Sequence, residues 1–170
     1  MAQTYDICIR GAGVVGRTLA LLLARERLRV ALVSPPEAPS ASKAPKDVRA
    51  YALNAASRQL LESLRCWPDE AHATAVQEMQ VYGDQEGALR FDAFEQNVPA
   101  LAWIVEVPAL EQRLGEAVRY QPQVDLVPAP VPAALTVVCE GRASQTRAEL
   151  GVDFETTRYP QHALATRVRC

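Results

Sequence analysis

Residues 5–34 read YDICIRGAGVVGRTLALLLARERLRVALVS, and their pattern decides the fold. The apolar run Ile7-Cys8-Ile9 leads into Gly11-Ala12-Gly13-Val14-Val15-Gly16. A helical stretch carrying Leu19, Leu22, Leu23 and Leu28 follows, and then a second apolar run, Val30–Val33. Strand, glycine turn, helix and strand form the context in which a GxGxxG match reads as a dinucleotide-binding fingerprint. Gly11 is expected to make the tight turn off the first strand, and Gly13 to let backbone approach a pyrophosphate. Gly16 is expected to let the helix pack closely on the sheet. The phosphates would lie on free N–H groups at the helix N-terminus, where the helix dipole also favours negative charge. Ala20 continues the small-residue contact surface.

The carboxylate that would grip both ribose hydroxyls at the end of the second strand is missing. Ser34 stands there, followed by Pro35-Pro36. A hydroxyl makes the weaker hydrogen bond, so the phosphate end of the site is better specified than the adenosine end.

Outward from this unit, 170 residues suffice for one sizeable core, and a net charge of −2 gives no electrostatic basis for binding nucleic acid. No apolar run reaches the ~20 residues of a membrane-spanning helix, and no basic, cleavable leader is visible. A cytoplasmic location is the expectation. Cys8, Cys66, Cys139 and Cys170 are widely spread, without metal-ligand spacing, so no metal site is expected. Cys8 and Cys139 are expected as small hydrophobes within apolar strands. His72 and His162 are isolated, and no catalytic side chain is assigned.

Further along, 34–46 reads as an irregular loop, and Asn54 as the N-cap of a helix over 55–64 that Trp67-Pro68 would stop. Strands are expected over 77–81, 89–94, 102–107 and 124–127. A helix opened by Pro108 is expected to run to Tyr120, with Leu110, Leu114 and Val118 on one face. Pro128, Pro130 and Pro132 should prevent pairing until a strand over 135–139. A turn, a short helix and one or two further strands are expected to close the chain.

Three segments, in this order and spacing, resemble the flavin-dependent aromatic hydroxylases, and within them the ubiquinone-biosynthesis hydroxylases: GAGVVG, DVRAYALNAASRQLLESLRCW, and VVCEGRASQTRAELGVDFETTRYPQHALATRVRC. The resemblance covers essentially the whole chain. It implies an α/β fold, a Rossmann-like FAD-binding sheet with part of a smaller mixed β substrate region. The nucleotide-binding part would be 1–72 and 102–160, and the start of the substrate-side β region 73–101.

Carried over by position, the resemblance places the FAD pyrophosphate on Gly11, Gly13 and Gly16; Ala12, Val14 and Val15 of the same turn, and Ser34 at the end of the second strand, complete the expected cofactor-binding set. Arg49 would contact FAD through its forked guanidinium, its alternative being a surface arginine paired with Asp47. Glu140, where the family has Asp, and Gly141 would lie near the pyrophosphate and the incoming NADPH; an exposed Glu-Gly turn is the alternative. Ser144 and Arg147 match the family pattern and could equally order that turn.

The implied activity is hydroxylation of a phenol, such as a polyprenyl phenol, by an FAD monooxygenase using NAD(P)H and O2. The implied setting includes peripheral membrane contact and other ubiquinone-biosynthesis proteins. Two departures accompany it. The region between Val124 and Leu135 is about two dozen residues shorter than usual in the family, and no later glycine–aspartate motif follows before Cys170. The resemblance therefore implies an N-terminal portion of such an enzyme, with incomplete activity. The alternatives are an NAD(P)-dependent oxidoreductase and a non-catalytic nucleotide-binding remnant.

Overall fold

The computed structural model describes residues 4–35, 47–84, 86–153 and 155–162. In chain order the elements are β1 (Tyr5–Arg10), α1 (Val14–Arg25), β2 (Val30–Val33), β3 (Ala50–Leu53), α2 (Ala55–Ser63), β4 (Ala73–Val76), β5 (Glu78–Tyr82), β6 (Ala88–Asp92), β7 (Ala102–Glu106), α3 (Val107–Arg119), β8 (Val124–Val127), β9 (Ala133–Val138) and α4 (Gln145–Glu149). They form two compact units, Met1–Val48 with Gly115–Cys170, and Arg49–Leu114.

The first unit is built on a four-stranded sheet in the order β8-β2-β1-β9, with every pairing parallel. Ile7, Cys8, Ile9 and all four residues of β2 are buried, as expected of strands inside a parallel sheet. Helix α1 packs on β1, β2 and β8. Its buried positions are Gly16, Ala20, Leu21 and Ala24, while the expected leucines Leu19, Leu22 and Leu23 are only half-buried. Small residues dominate this contact because they let the helix axis approach the sheet.

The second unit holds an antiparallel sheet, β3-β7-β4, and a separate hairpin, β5-β6. Asn54 caps α2 as expected, its side chain accepting from the Ser57 amide at 2.9 Å. The helix ends at Ser63, within one residue of the expected end and ahead of Trp67-Pro68, where Arg65 turns into the left-handed region at φ 58°. Trp67 and Trp103 meet edge-to-face with centroids 6.3 Å apart, and the Arg58 guanidinium lies over both rings. In the hairpin, Met79, Phe91, Val81 and Leu89 share one face. Arg90 pairs with Glu78, Asp92 and Glu95 on the other side.

Three further differences from the sequence reading have local causes. Strand β4 was not expected, since Ala73–Val76 is short and half-exposed and so lacks a clear alternation. Strand β9 begins at Ala133, directly after Pro132, because a proline outside the ladder costs no hydrogen bond there. Cys139 lies just beyond β9 and is only half-buried, although its N–H continues the ladder to the Arg10 carbonyl at 2.7 Å. Among the described residues no strand follows Val138, and 163–170 lie outside them. Helix α3 starts one residue before Pro108, and Leu110, Leu114 and Val118 are all buried.

Candidate nucleotide-binding site

The sheet order reverses direction between β1 and β9: the chain steps from β1 to β2 on one side and later returns to β9 on the other. Ligands of open α/β sheets bind outside the carboxyl ends of the strands at such a switch point. The glycine turn follows β1 there, and Glu140-Gly141 follows β9.

The three glycines divide the work. Gly11 sits at φ +112°, and a Cβ on it would meet the Cys139 carbonyl oxygen at 2.6 Å and the Glu140 nitrogen at 2.9 Å. A Cβ on Gly16 would stand 1.9 Å from the Gly11 carbonyl oxygen, so these two glycines hold turn, helix and β9 together. Gly13 is different. Nothing lies within 4 Å of a Cβ built there, and no side chain caps the helix it precedes. Helix geometry leaves the N–H groups of Val14, Val15 and Gly16 without intrahelical acceptors. Gly13 therefore faces open space beside three amide donors, which suits a diphosphate.

Across the switch point, Glu140 is clamped. Ser144 Oγ donates to its Oε2 at 2.7 Å, the Thr146 amide to the same oxygen at 3.0 Å, and Thr146 Oγ1 to Oε1 at 2.6 Å. Arg10 Nε lies 3.3 Å from Oε1, and Arg10 Nη1 reaches Glu149 at 3.2 Å. The Thr146 hydroxyl, then the Ser144 hydroxyl and the Thr146 amide, hold the Glu140 carboxyl down from 4.5 to about 2, and Arg10 adds to this. Ser144 also caps α4 by accepting from the Arg147 amide. Gly141 turns at φ +72° with no atom within 4 Å of a Cβ position.

An open cleft of about 490 Å³ lies beside these groups, lined by Val15 of α1, Val138 at the end of β9 with Cys139–Gly141 after it, and Ser144, Arg147, Leu150 and Val152. The structure thus brings Gly11–Gly16, Glu140 and Gly141 to one end of the sheet. Ser34 lies at the end of β2, half-buried, its N–H bonded to the Val127 carbonyl at 2.9 Å. Arg49 belongs to the second unit, where its guanidinium stands 3.8 Å from Glu111. His72 faces Glu106 at 3.0 Å. Among the described residues no group of His, Cys, Asp and Glu is arranged to hold a metal, and no helix is long and apolar enough to cross a membrane. The Arg10–Glu140–Thr146 clamp escaped sequence reading because it depends on β1 pairing with β9. Its visible trace is an acid four residues before a Ser N-cap.

No family model matches the chain. The 3-demethoxyubiquinol 3-hydroxylase of Escherichia coli (strain K12) is 30% identical over 193 residues, which cover 99% of this chain and 49% of that protein. The expected family likeness holds along the whole chain. The chain spans about half the length of this curated relative. Among solved structures, a four-substitution mutant of PqsL of P. aeruginosa superposes with a TM-score of 0.73 at 22% identity, covering 93% of this chain and 49% of that chain. The flavin-dependent monooxygenase PieE, solved with FAD and substrate, gives a TM-score of 0.64 at 20% identity over 88% of this chain and 32% of PieE. The fold is that of the flavin-dependent monooxygenases. The Rossmann-like parallel sheet expected from the glycine turn is part of that shared architecture.

Proposed function

We propose that this chain supplies the diphosphate cradle of an FAD-dependent hydroxylase acting on a phenol, such as a polyprenyl phenol, with NAD(P)H as reductant and O2 as oxygen source. The observation that carries the reading is Gly13, open on its Cβ side and followed by three unpaired helix amides at the β1/β9 switch point. FAD, when bound, would supply oxygen activation and transfer to an aromatic ring.

The chain's own contribution is binding and orientation. Val14, Val15 and Gly16 would donate to the pyrophosphate, and Ser34 would stand toward the ribose with a single hydroxyl. Glu140 has both oxygens engaged within the chain, so its part is to hold Arg10 and the start of α4 in place, with Gly141 free to approach the ligand. Arg49 remains a proposed FAD contact. The location consistent with this reading is cytoplasmic, with membrane contact limited to the surface.

Calorimetric titration with ADP, AMP, FAD, NAD and NADP tests the reading. ADP and FAD should compete for one weak site, AMP should bind far less well, and Gly13→Val should remove the binding of both while leaving the fold intact. Equal binding of AMP and ADP, or full retention in Gly13→Val, would overturn the proposal. Preference for NAD or NADP over FAD would favour a nicotinamide-dependent oxidoreductase.

A further inference from the structure

Strand β8 ends at one edge of the parallel sheet and β9 begins at the other, with β2 and β1 between them. All four run parallel, so the short link Pro128-Ala129-Pro130-Val131-Pro132 must travel back from the carboxyl end to the amino end while crossing two strands. The registers set the span. Val127 is level with Val33 and Arg10, whereas Ala133 is level with Tyr5. At about 3.3 Å per residue along the strands and about 4.8 Å per strand spacing, the straight line from Val127 to Ala133 is roughly 22 Å. The chain between them reaches at most about 20–22 Å when fully extended. The link therefore has little slack. Its three prolines each hold φ at about −65° and keep the link from compacting into a helix, and Val131 packs against the cluster of Cys8, Ala31 and Val33.

Strand β9 needs such a restraint. Among the described residues it is an edge strand, with Leu135 56% and Val138 40% exposed, so burial on one face does little to choose its register. A slip toward the amino end lengthens a span that the link already fills. A slip the other way drives the Cys139 carbonyl into Gly11 and pulls Glu140 from Arg10. We infer that the 128–132 strap is a length gauge: it fixes the register of β9 and thereby sets the Cys139–Glu140 peptide beneath the glycine turn. The inference concerns the chain without ligand and stands apart from the choice of cofactor.

Amide hydrogen exchange read by mass spectrometry tests it on three proteins: the native chain, a Gly-Ser-Gly insertion between Ala129 and Pro130, and the length-preserving triple variant Pro128→Ala, Pro130→Ala, Pro132→Ala. The insertion should lower protection across 135–139 by about tenfold or more, with protection of β2 and α1 retained. The triple alanine variant keeps the same reach and should hold protection of 135–139 near the native level. Native protection in the insertion variant would overturn the inference, as would its loss throughout the sheet, since the strap would then be a general stability element. Equal loss in the triple variant would also overturn it, by making stiffness rather than length the restraint.

Discussion

The carbonyl oxygen of Cys139 stands 2.6 Å from where a Cβ on Gly11 would be, so the end of β9 forms the floor beneath the glycine turn. Two segments more than a hundred residues apart in sequence thus share one van der Waals surface. Gly11→Ala meets both this contact and a backbone at φ +112°, and is expected to destabilise the chain by about 2–4 kcal/mol. Gly13→Ala has open space and an ordinary φ of −76°, and should stay within about 1 kcal/mol of the native chain. Urea denaturation of the two variants checks the contrast; equal losses would contradict the division of roles among the glycines.

The Glu140 carboxyl predicts an acid-sensitive step. Its native pKa is lowered from 4.5 to about 2, so the stabilisation is fully present above about pH 4.5. It is lost as pH falls through the native value, when the unfolded chain binds the proton more readily than the folded one. Thermal midpoints measured across pH 2–5 should fall with acidification more steeply in the native chain than in Glu140→Gln. Parallel curves would show that the clamp around Glu140 contributes nothing.

Asn54→Ala removes the side chain that accepts from Ser57 at the start of α2. The expected loss is about 1 kcal/mol, read from denaturant midpoints. Asn54→Asp, which keeps an acceptor, should restore most of it.

Arg58 has its guanidinium carbon 4.6 Å from the Trp103 ring centroid and 5.4 Å from that of Trp67. Replacing it with Gln should cost about 1–2 kcal/mol, since two partly exposed cation–π contacts go with it. Tryptophan emission should shift in the folded protein, because both rings lose the same neighbour. An unchanged spectrum and midpoint would show that the stacking carries no energy.

The parts of the fold legible in the sequence are those governed by local pattern. The β1-α1-β2 unit follows from an apolar run, glycines and a second apolar run, and the α2 cap follows from Asn54 at a helix boundary. The parts that were not legible depend on partners distant in sequence. Strand β4 is recognisable only through its pairing with β7, and the left-handed turn at Arg65 that follows α2 is not announced by its sequence. At the candidate site, the geometry of the glycine turn was readable because it is set by consecutive residues. The engagement of Glu140 was not, because Arg10 reaches it only once β1 and β9 lie side by side.

Strand β1 also imposes an order of events during biosynthesis. It is the inner strand between β2 and β9, yet the ribosome delivers β9 only after the entire Arg49–Leu114 unit has been made. At about 5–20 residues per second, the nascent chain holds one side of β1 without its neighbour for roughly 6–25 seconds. The amino-terminal crossover can form early, but the end of the sheet where β1 meets β9 is completed only after the Arg49–Leu114 unit has been made.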